Sequence, residues 1–475
     1  MQTHVVQSGD TLWQIAQRYG SDINQIVLLN EWDDSDVLVT GQSLVIPEPG
    51  REYVVQPGDT LWAIARMFRV TVQELAVANR IADPSVIYTG QMLKNPYLLH
   101  TVHAGEFIWG IAQQYGTSVE QIIAANQMEA PGLIFPGQLL RIPEAPGPVI
   151  DVNAYMTDLN EAGQSKVLRV GNDLTYLSPF MYSFSEEGLL TELQDQLVLE
   201  ATEATDIAPL LVVTNFTKGE FNSDLVASLL RNPDIQEKFM TNLLEKMRTK
   251  GYVGVNFDFE YVYPEDRVPY NHFLKRVTAR LHPEGFLVTT AVAPKVSADQ
   301  EGLLYEAIDY EAHGDIVDVV ILMTYEWGWA GGRPLAIAPI NKVRDVVDYA
   351  VSVIPRHKIH MGIPLYARDW QIPWVEGTTA STMSPKEAVR LAARYGASIQ
   401  YDDTYQSPFF RYTDESGQVH EVWFEDARSV QAKLDTVKAD GLRGVSYWDL
   451  GVPLPQNWPV LQNDFSIRKY SLENL

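Results

Sequence analysis

The segment Gly251–Glu260, GYVGVNFDFE, sets three polar side chains, Asn256, Asp258 and Glu260, at alternate positions between Val255, Phe257 and Phe259. A β-strand turns successive side chains to opposite faces, so the three share one face, with neighbouring Cα atoms on it about 6.6 Å apart. Two carboxylates at that spacing in a desolvated site cannot both ionise freely. One acquires a raised pKa and is suited to act as an acid.

Outward from this strand, similar apolar runs recur from about Val149 to the C-terminus: DVNAYM, LTYLSPFMYSF, PLLVVTNF, GFLVTTAVAP, DIVDVVILMTYEW, KIHMGIPLYARDW and GLRGVSYWDLG. With GYVGVNFDFEYV they make eight candidate strands, and amphipathic helical stretches such as YNHFLKRVTARLHPEG lie between most of them. This α/β alternation predicts a (β/α)8 TIM barrel over 149–475, whose strands are apolar on both faces because both are covered. Catalytic groups in such barrels sit at the C-terminal strand ends, which is where Asn256, Asp258 and Glu260 fall. The stretch from about 369 to 425, rich in aromatics and turn residues, is too long for a βα loop and predicts a small α+β insertion walling the cleft.

The whole chain has 475 residues, 46% hydrophobic and 20% charged, which implies several globular domains. Its 36 Lys and Arg against 61 Asp and Glu leave a net charge of −25, so nucleic acid and acidic membrane surfaces are repelled overall. The absence of cysteine excludes disulfides, thiolate nucleophiles and thiolate metal sites. No apolar run approaches the ~18 residues of a membrane span, and the N-terminus lacks the pattern of a typical Sec signal. No metal-ligand spacing, phosphate-binding loop or serine–histidine constellation occurs, so neither metal nor cofactor is expected.

Before Val149 one unit occurs three times: VVQSGDTLWQIAQRYG from Val5, VVQPGDTLWAIARMFR from Val54 and TVHAGEFIWGIAQQYG from Thr101. The intervals of 49 and 47 residues between Gly9, Gly58 and Gly105 also separate Asn30, Asn79 and Asn126, and Gly41, Gly90 and Gly137. Each unit reads strand, helix, helix, strand. The unit resembles the LysM module, which implies three βααβ domains, at 1–49, 50–98 and 99–146, binding N-acetylglucosamine-containing glycan in a shallow groove between the GDT turn and the Asn that ends the second helix. The third copy departs from the pattern with Glu106-Phe107 for Asp-Thr, and the second with Asn95 for Ile. The short linkers EPGRE and EAPGPV, both proline-bearing, predict semi-stiff joints between modules.

The strand Val253–Glu260 resembles the DG-x-D-x-D-x-E strand of family 18 glycoside hydrolases. MTYEWG at 323–328, GIPLYARDW at 362–370 and GVSYWDLG at 444–451 resemble three further motifs of that family, in its order. Val253 and Asn256 replace the first two acids, while the final pair is kept. The third-strand serine and paired glycines of chitinases are replaced by Val213-Thr214-Asn215-Phe216. Together with the LysM units this resembles the spore cortex-fragment branch of the family.

The resemblance implies a retaining β-N-acetylglucosaminidase acting on spore-cortex or cell-wall peptidoglycan, located in the spore coat, cortex or cell wall. The substrate's own 2-acetamido group would be the nucleophile, an exception to the usual carboxylate attack. Glu260 would be the acid and base, Asp258 would hold the amide N–H, and Tyr325 would donate to the amide oxygen. Trp448 would underlie the sugar, with Asn256, Met323, Glu326 and Tyr366 as further substrate contacts. Asn215, His360, Arg368 and Asp369 also lie near strand ends, without an assigned role. The rival readings are a chitinase or chito-oligosaccharide hydrolase, a non-catalytic glycan-binding protein, and a structural coat component.

Overall fold

The structure is a computed structural model that describes all residues except 34–35, 82, 130–131, 145–146 and 472–475. Eight parallel strands close on themselves: β1 (Val149–Met156), β2 (Tyr176–Pro179), β3 (Ala208–Thr214), β4 (Gly254–Asp258), β5 (Leu287–Val292), β6 (Val319–Leu322), β7 (Ile359–Pro364) and β8 (Gly444–Trp448), with β8 paired to β1. All eight predicted strands are present. In β4 the outward Phe257 packs on Phe273 of the following helix at 5.4 Å between ring centroids, while Asn256 and Asp258 face the barrel interior. Burial of both faces accounts for the unbroken apolar run. Gly254 is required by close strand approach, since a Cβ there would stand 2.6 Å from Leu287.

The run KIHMGIPLYARDW divides between two sheets. β7 ends at Pro364, and Ala367–Ile372 begins a separate five-stranded antiparallel sheet with Ser381–Met383, Gln400–Asp402, Ser407–Thr413 and Val419–Trp423. The helix Pro385–Arg394 covers it. The insertion therefore runs from Ala367 to Trp423, two residues earlier at each end than the aromatic composition suggests.

Each N-terminal unit pairs its first and last strands, Gln2–Val5 with Ser43–Ile46, Glu52–Val54 with Met92–Lys94, and Tyr97–Thr101 with Leu139–Pro143, around two helices. The recurring Asn has a common task. Asn30 Nδ2 donates to the carbonyls of Ile26 (2.8 Å) and Val45 (2.7 Å), and its Oδ1 accepts from Val45 N–H (3.0 Å), tying the second helix to the closing strand. Asn79 and Asn126 repeat this. The acid of the turn also recurs: Asp10 receives Gln7 N–H and His4 Nε2, and Glu106 in the third unit receives His103 N–H and His100 Nε2. These bonds hold both carboxyls below the usual range, the backbone N–H being the larger cause in each.

The joints differ from expectation. Gln25 of the first unit accepts from Val54 N–H (2.7 Å), and Glu74 of the second receives Tyr97 OH (3.1 Å), so neighbouring units pack directly instead of standing apart on proline spacers. In the second linker, EAPGPV, residues 145–146 lie outside the described residues. Phe107 occupies the N-cap of its helix with no capping hydrogen bond, where Thr11 and Thr60 each accept one at 3.2 Å. Phe107→Thr is expected to stabilise the third module by about 1 kcal/mol, readable by chemical denaturation of the full chain.

Candidate active site

Asp258 is the last residue of β4, and Glu260 follows two residues on, at the rim of the barrel mouth. They open onto a cavity of about 290 Å³ that Met323, Tyr325, Glu326 and Trp448 also line. Six of the eight side chains expected from sequence are thus gathered in one place. The other two lie behind the wall. Asn256 is fully buried one layer below, donating from Nδ2 to Thr289 Oγ1 (2.9 Å) and accepting from Tyr155 OH (2.8 Å). Its amide is used up in orienting Tyr155, which does line the cavity, so the expected substrate contact is replaced by a supporting one. Tyr366 is likewise buried, and its hydroxyl donates to Glu326, whose carboxylate also pairs with Arg368 Nη2 at 2.6 Å. Tyr366 and Arg368 together fix Glu326.

Four aromatics complete the cavity that sequence reasoning did not single out. Trp448 packs edge-on against Phe180 (4.7 Å) and Tyr155 (5.3 Å), forming an apolar floor suited to the C–H face of a sugar. Phe216 and Phe221 pair at 5.1 Å across a two-strand hairpin that reverses at Lys218-Gly219, both at positive φ. A signal existed for the hairpin, since a K-G pair flanked by Phe-Thr and Glu-Phe is turn chemistry between short strands. Tyr155 was marked by its inward phase in β1. Phe180, just beyond β2, had no such mark.

Burial dominates the electrostatics. It pushes the Asp258 carboxyl up to about 7. Glu260 rises well above the ordinary glutamate range, first by burial, then by the negative charges of Asp258 and Glu326. Both effects favour the protonated form of Glu260, which suits an acid. Asp258 Oδ1 is buried and meets no hydrogen-bond donor among the described residues, so it is an acceptor open to a donor on a bound molecule. Tyr325 keeps its proton, because burial and the neighbouring carboxylates push its pKa up, and remains a donor.

The buried Asn215, just past β3, grips the peptide of the acid at both ends. Its Oδ1 accepts from Glu260 N–H (3.0 Å), and its Nδ2 donates to the Glu260 carbonyl (2.8 Å) and to that of Asn222 (3.1 Å). The next residue, Tyr261, has φ +54°, so the chain turns sharply where the clamp holds it. Asn215→Ala is expected to lower kcat about 10- to 100-fold, with KM within about threefold, because misplacing the acid affects proton transfer more than sugar binding. Asn215→Asp, which keeps the acceptor for the N–H, should recover part of the loss. A fall in melting temperature with kcat intact would reduce Asn215 to a structural role.

An Asp-x-Glu pair at the end of the fourth barrel strand, one acid favoured in its protonated form and the other with an oxygen open to a donor, beside an aromatic floor, is an arrangement able to give a proton to a bound sugar and accept a hydrogen bond from it. The chain belongs to family 18: the description "Glycosyl hydrolases family 18" matches residues 213–452, and "LysM domain" matches 4–47, 53–96 and 100–143. It is 43% identical over 474 residues to the Cortical fragment-lytic enzyme of Bacillus subtilis (strain 168), covering 99% of both chains. Its structure is similar to the Bacillus cereus spore cortex-lytic enzyme SleL, with TM-score 0.77, 36% identity and 98% of each chain covered. It also matches a chitinase from Chromobacterium violaceum, with TM-score 0.62 and 26% identity over 66% of this chain and 98% of that one.

Proposed function

We propose that the chain is a retaining β-N-acetylglucosaminidase acting on spore-cortex peptidoglycan or its fragments. The observation that carries the mechanism is Asp258 Oδ1, buried and unpartnered beside Glu260, whose carboxyl burial favours in its protonated form. The substrate's acetamide N–H donates to Asp258, which aligns the amide so that its carbonyl oxygen attacks the anomeric carbon. Glu260 gives its proton to the leaving glycosidic oxygen, and the resulting oxazolinium ion is stabilised by the Asp258 carboxylate. Tyr325 donates to the acetamide oxygen. Water, deprotonated by Glu260, then opens the ring from the face the leaving group occupied, which gives net retention. Trp448, Phe180 and Tyr155 hold the sugar ring from below.

The substrate class rests on the relatives. The B. subtilis and B. cereus proteins are named for cortex fragments and spore cortex, and the similarity to the former runs through LysM modules and barrel alike. A neutral glycan is bound by stacking and hydrogen bonding, so the acidic surface is compatible with it. Placement in the spore or cell wall follows from that substrate, and no helix among the described residues is long and apolar enough to cross a membrane.

The test is digestion of purified cortex fragments alongside chitin oligomers, with products identified by mass spectrometry and the first-formed anomer read by NMR. Cleavage after N-acetylglucosamine in cortex material, with a β product, is expected. An inverted anomer, or a sugar trapped on a protein side chain, would overturn the mechanism. Faster turnover of chitin oligomers would move the substrate to chitin.

A further inference from the structure

The three LysM modules share a sequence pattern but differ in what meets the loop before the closing strand. Val39, Tyr88 and Phe135 occupy one repeat position. Phe135 is 60% exposed, whereas Val39 is 5% exposed and belongs to the core of the barrel insertion, with Ala388, Ala392, Ile399 and Phe410. Two positions on, the turn glycines give the same order. A Cβ on Gly41 would overlap the carbonyl of Ile399, one on Gly90 would come within 3.1 Å of the Arg169 side chain, and one on Gly137 would meet nothing within 4 Å.

Polar bonds fix the first module there. Ile399 N–H donates to the Thr40 carbonyl (2.9 Å), Gln456 Nε2 to the Ser43 carbonyl (2.7 Å), and Arg390 Nε to Asp36 Oδ1 (2.6 Å). Lys386 and Arg390 of the insertion helix also reach Asp33. The loop is specialised for this contact in its sequence. Asp33 and Asp36 correspond to Ala82 and Ser85 in the second module and to Glu129 and Gly132 in the third, and Val39 stands where those modules carry an aromatic. An acidic loop against a basic helix, with a small β-branched residue filling an apolar core, is the composition of a permanent interface rather than of a sugar-stacking face.

The third module shows the opposite arrangement. Its Phe107 (75% exposed), Leu133 (70%) and Phe135 are all open, and the loop carrying Leu133 and Phe135 passes close to the helix that Phe107 caps, since a Cβ on Gly132 would stand 3.0 Å from Ile108. Phe107 holds an N-cap position at the expense of the cap, a broken local rule of the kind found where function overrides stability.

We infer that the first LysM module is a fixed support of the catalytic unit, its loop given over to the insertion, and that retention on the polymer falls to the remaining modules, the third foremost. The inference rests on the glycan-binding reading of these modules. It also links the module to the cleft, because the buttressed insertion begins with the strand bearing Arg368, which holds Glu326.

The test uses the full chain, with thermal unfolding and co-sedimentation with insoluble peptidoglycan read side by side. Lys386→Glu with Arg390→Glu is expected to lower the melting temperature by about 3 °C or more while leaving sedimentation within about twofold. Adding Asp33→Arg and Asp36→Arg, which restores opposite charges, should recover most of that loss. Phe135→Asp is expected to weaken sedimentation about tenfold or more with the melting temperature nearly unchanged. If the charge reversal weakened sedimentation as strongly as Phe135→Asp and left stability intact, the first module would be a glycan anchor and the inference would fall. If the unaltered chain did not sediment at all, the glycan-binding reading would fail instead, and the melting-temperature arm would still decide the docking.

Discussion

Glu260→Gln is expected to lower turnover by about 10³- to 10⁴-fold while sedimentation with peptidoglycan stays at the level of the unaltered chain. Glutamine fills the same volume and keeps the backbone N–H and C=O that Asn215 grips, so the fold and the cleft persist. It has no proton to give the glycosidic oxygen and no basic form to activate water, so both chemical steps lose their catalyst. A loss of 10³ corresponds to about 4 kcal/mol of activation free energy, of the size expected when a poor leaving group such as a sugar alkoxide is no longer protonated. Steady-state release of reducing ends checks it. A near-normal rate would remove Glu260 from the mechanism.

Asp258→Asn is expected to lower kcat by about 10²- to 10³-fold, and also to move the alkaline limb of the kcat/KM profile to lower pH. The rate falls because an amide side chain cannot balance the positive charge that develops on the oxazolinium ion. The limb moves because Glu260 must be protonated to act, and the Asp258 charge is the second largest cause of its raised pKa. Burial and Glu326 remain in the variant, so the limb should still lie above the ordinary glutamate value.

The same substitution has an opposite effect on stability. Asp258 has its pKa raised by folding from 3.8 to about 7, so the folded state binds its proton more tightly than the unfolded chain. Its contribution is least harmful below pH 3.8, and stability is lost as pH rises through that window. Removing the charge should therefore raise the melting temperature at pH 8 relative to pH 4. An unshifted pH profile in an active variant would contradict the Asp258–Glu260 coupling, and unchanged turnover would contradict its catalytic part.

Local pattern alone carried a great deal here. Period-2 alternation places Asn256 and Asp258 on one face because a strand has no other way to arrange them, and Glu260, just past the strand end, opens onto the same cavity as Asp258. The eight apolar runs specify a barrel because each must be covered on both sides. The repeat of Gly and Asn at fixed intervals defines three modules, and the structure adds that the Asn ties helix to strand in every copy. Tertiary contacts decided the rest. Asn256 and Tyr366 have the right phase for substrate contact, yet partners distant in sequence, Tyr155 and Glu326, claim their polar groups. Asn215 acquires its grip on Glu260, 45 residues away in the chain, only because β3 and β4 end side by side. The difference between the first and third modules likewise depends on where the insertion comes to rest. Periodicity is a property of each residue and its neighbours, whereas the partner of a buried polar atom is set by chain segments that meet only after folding.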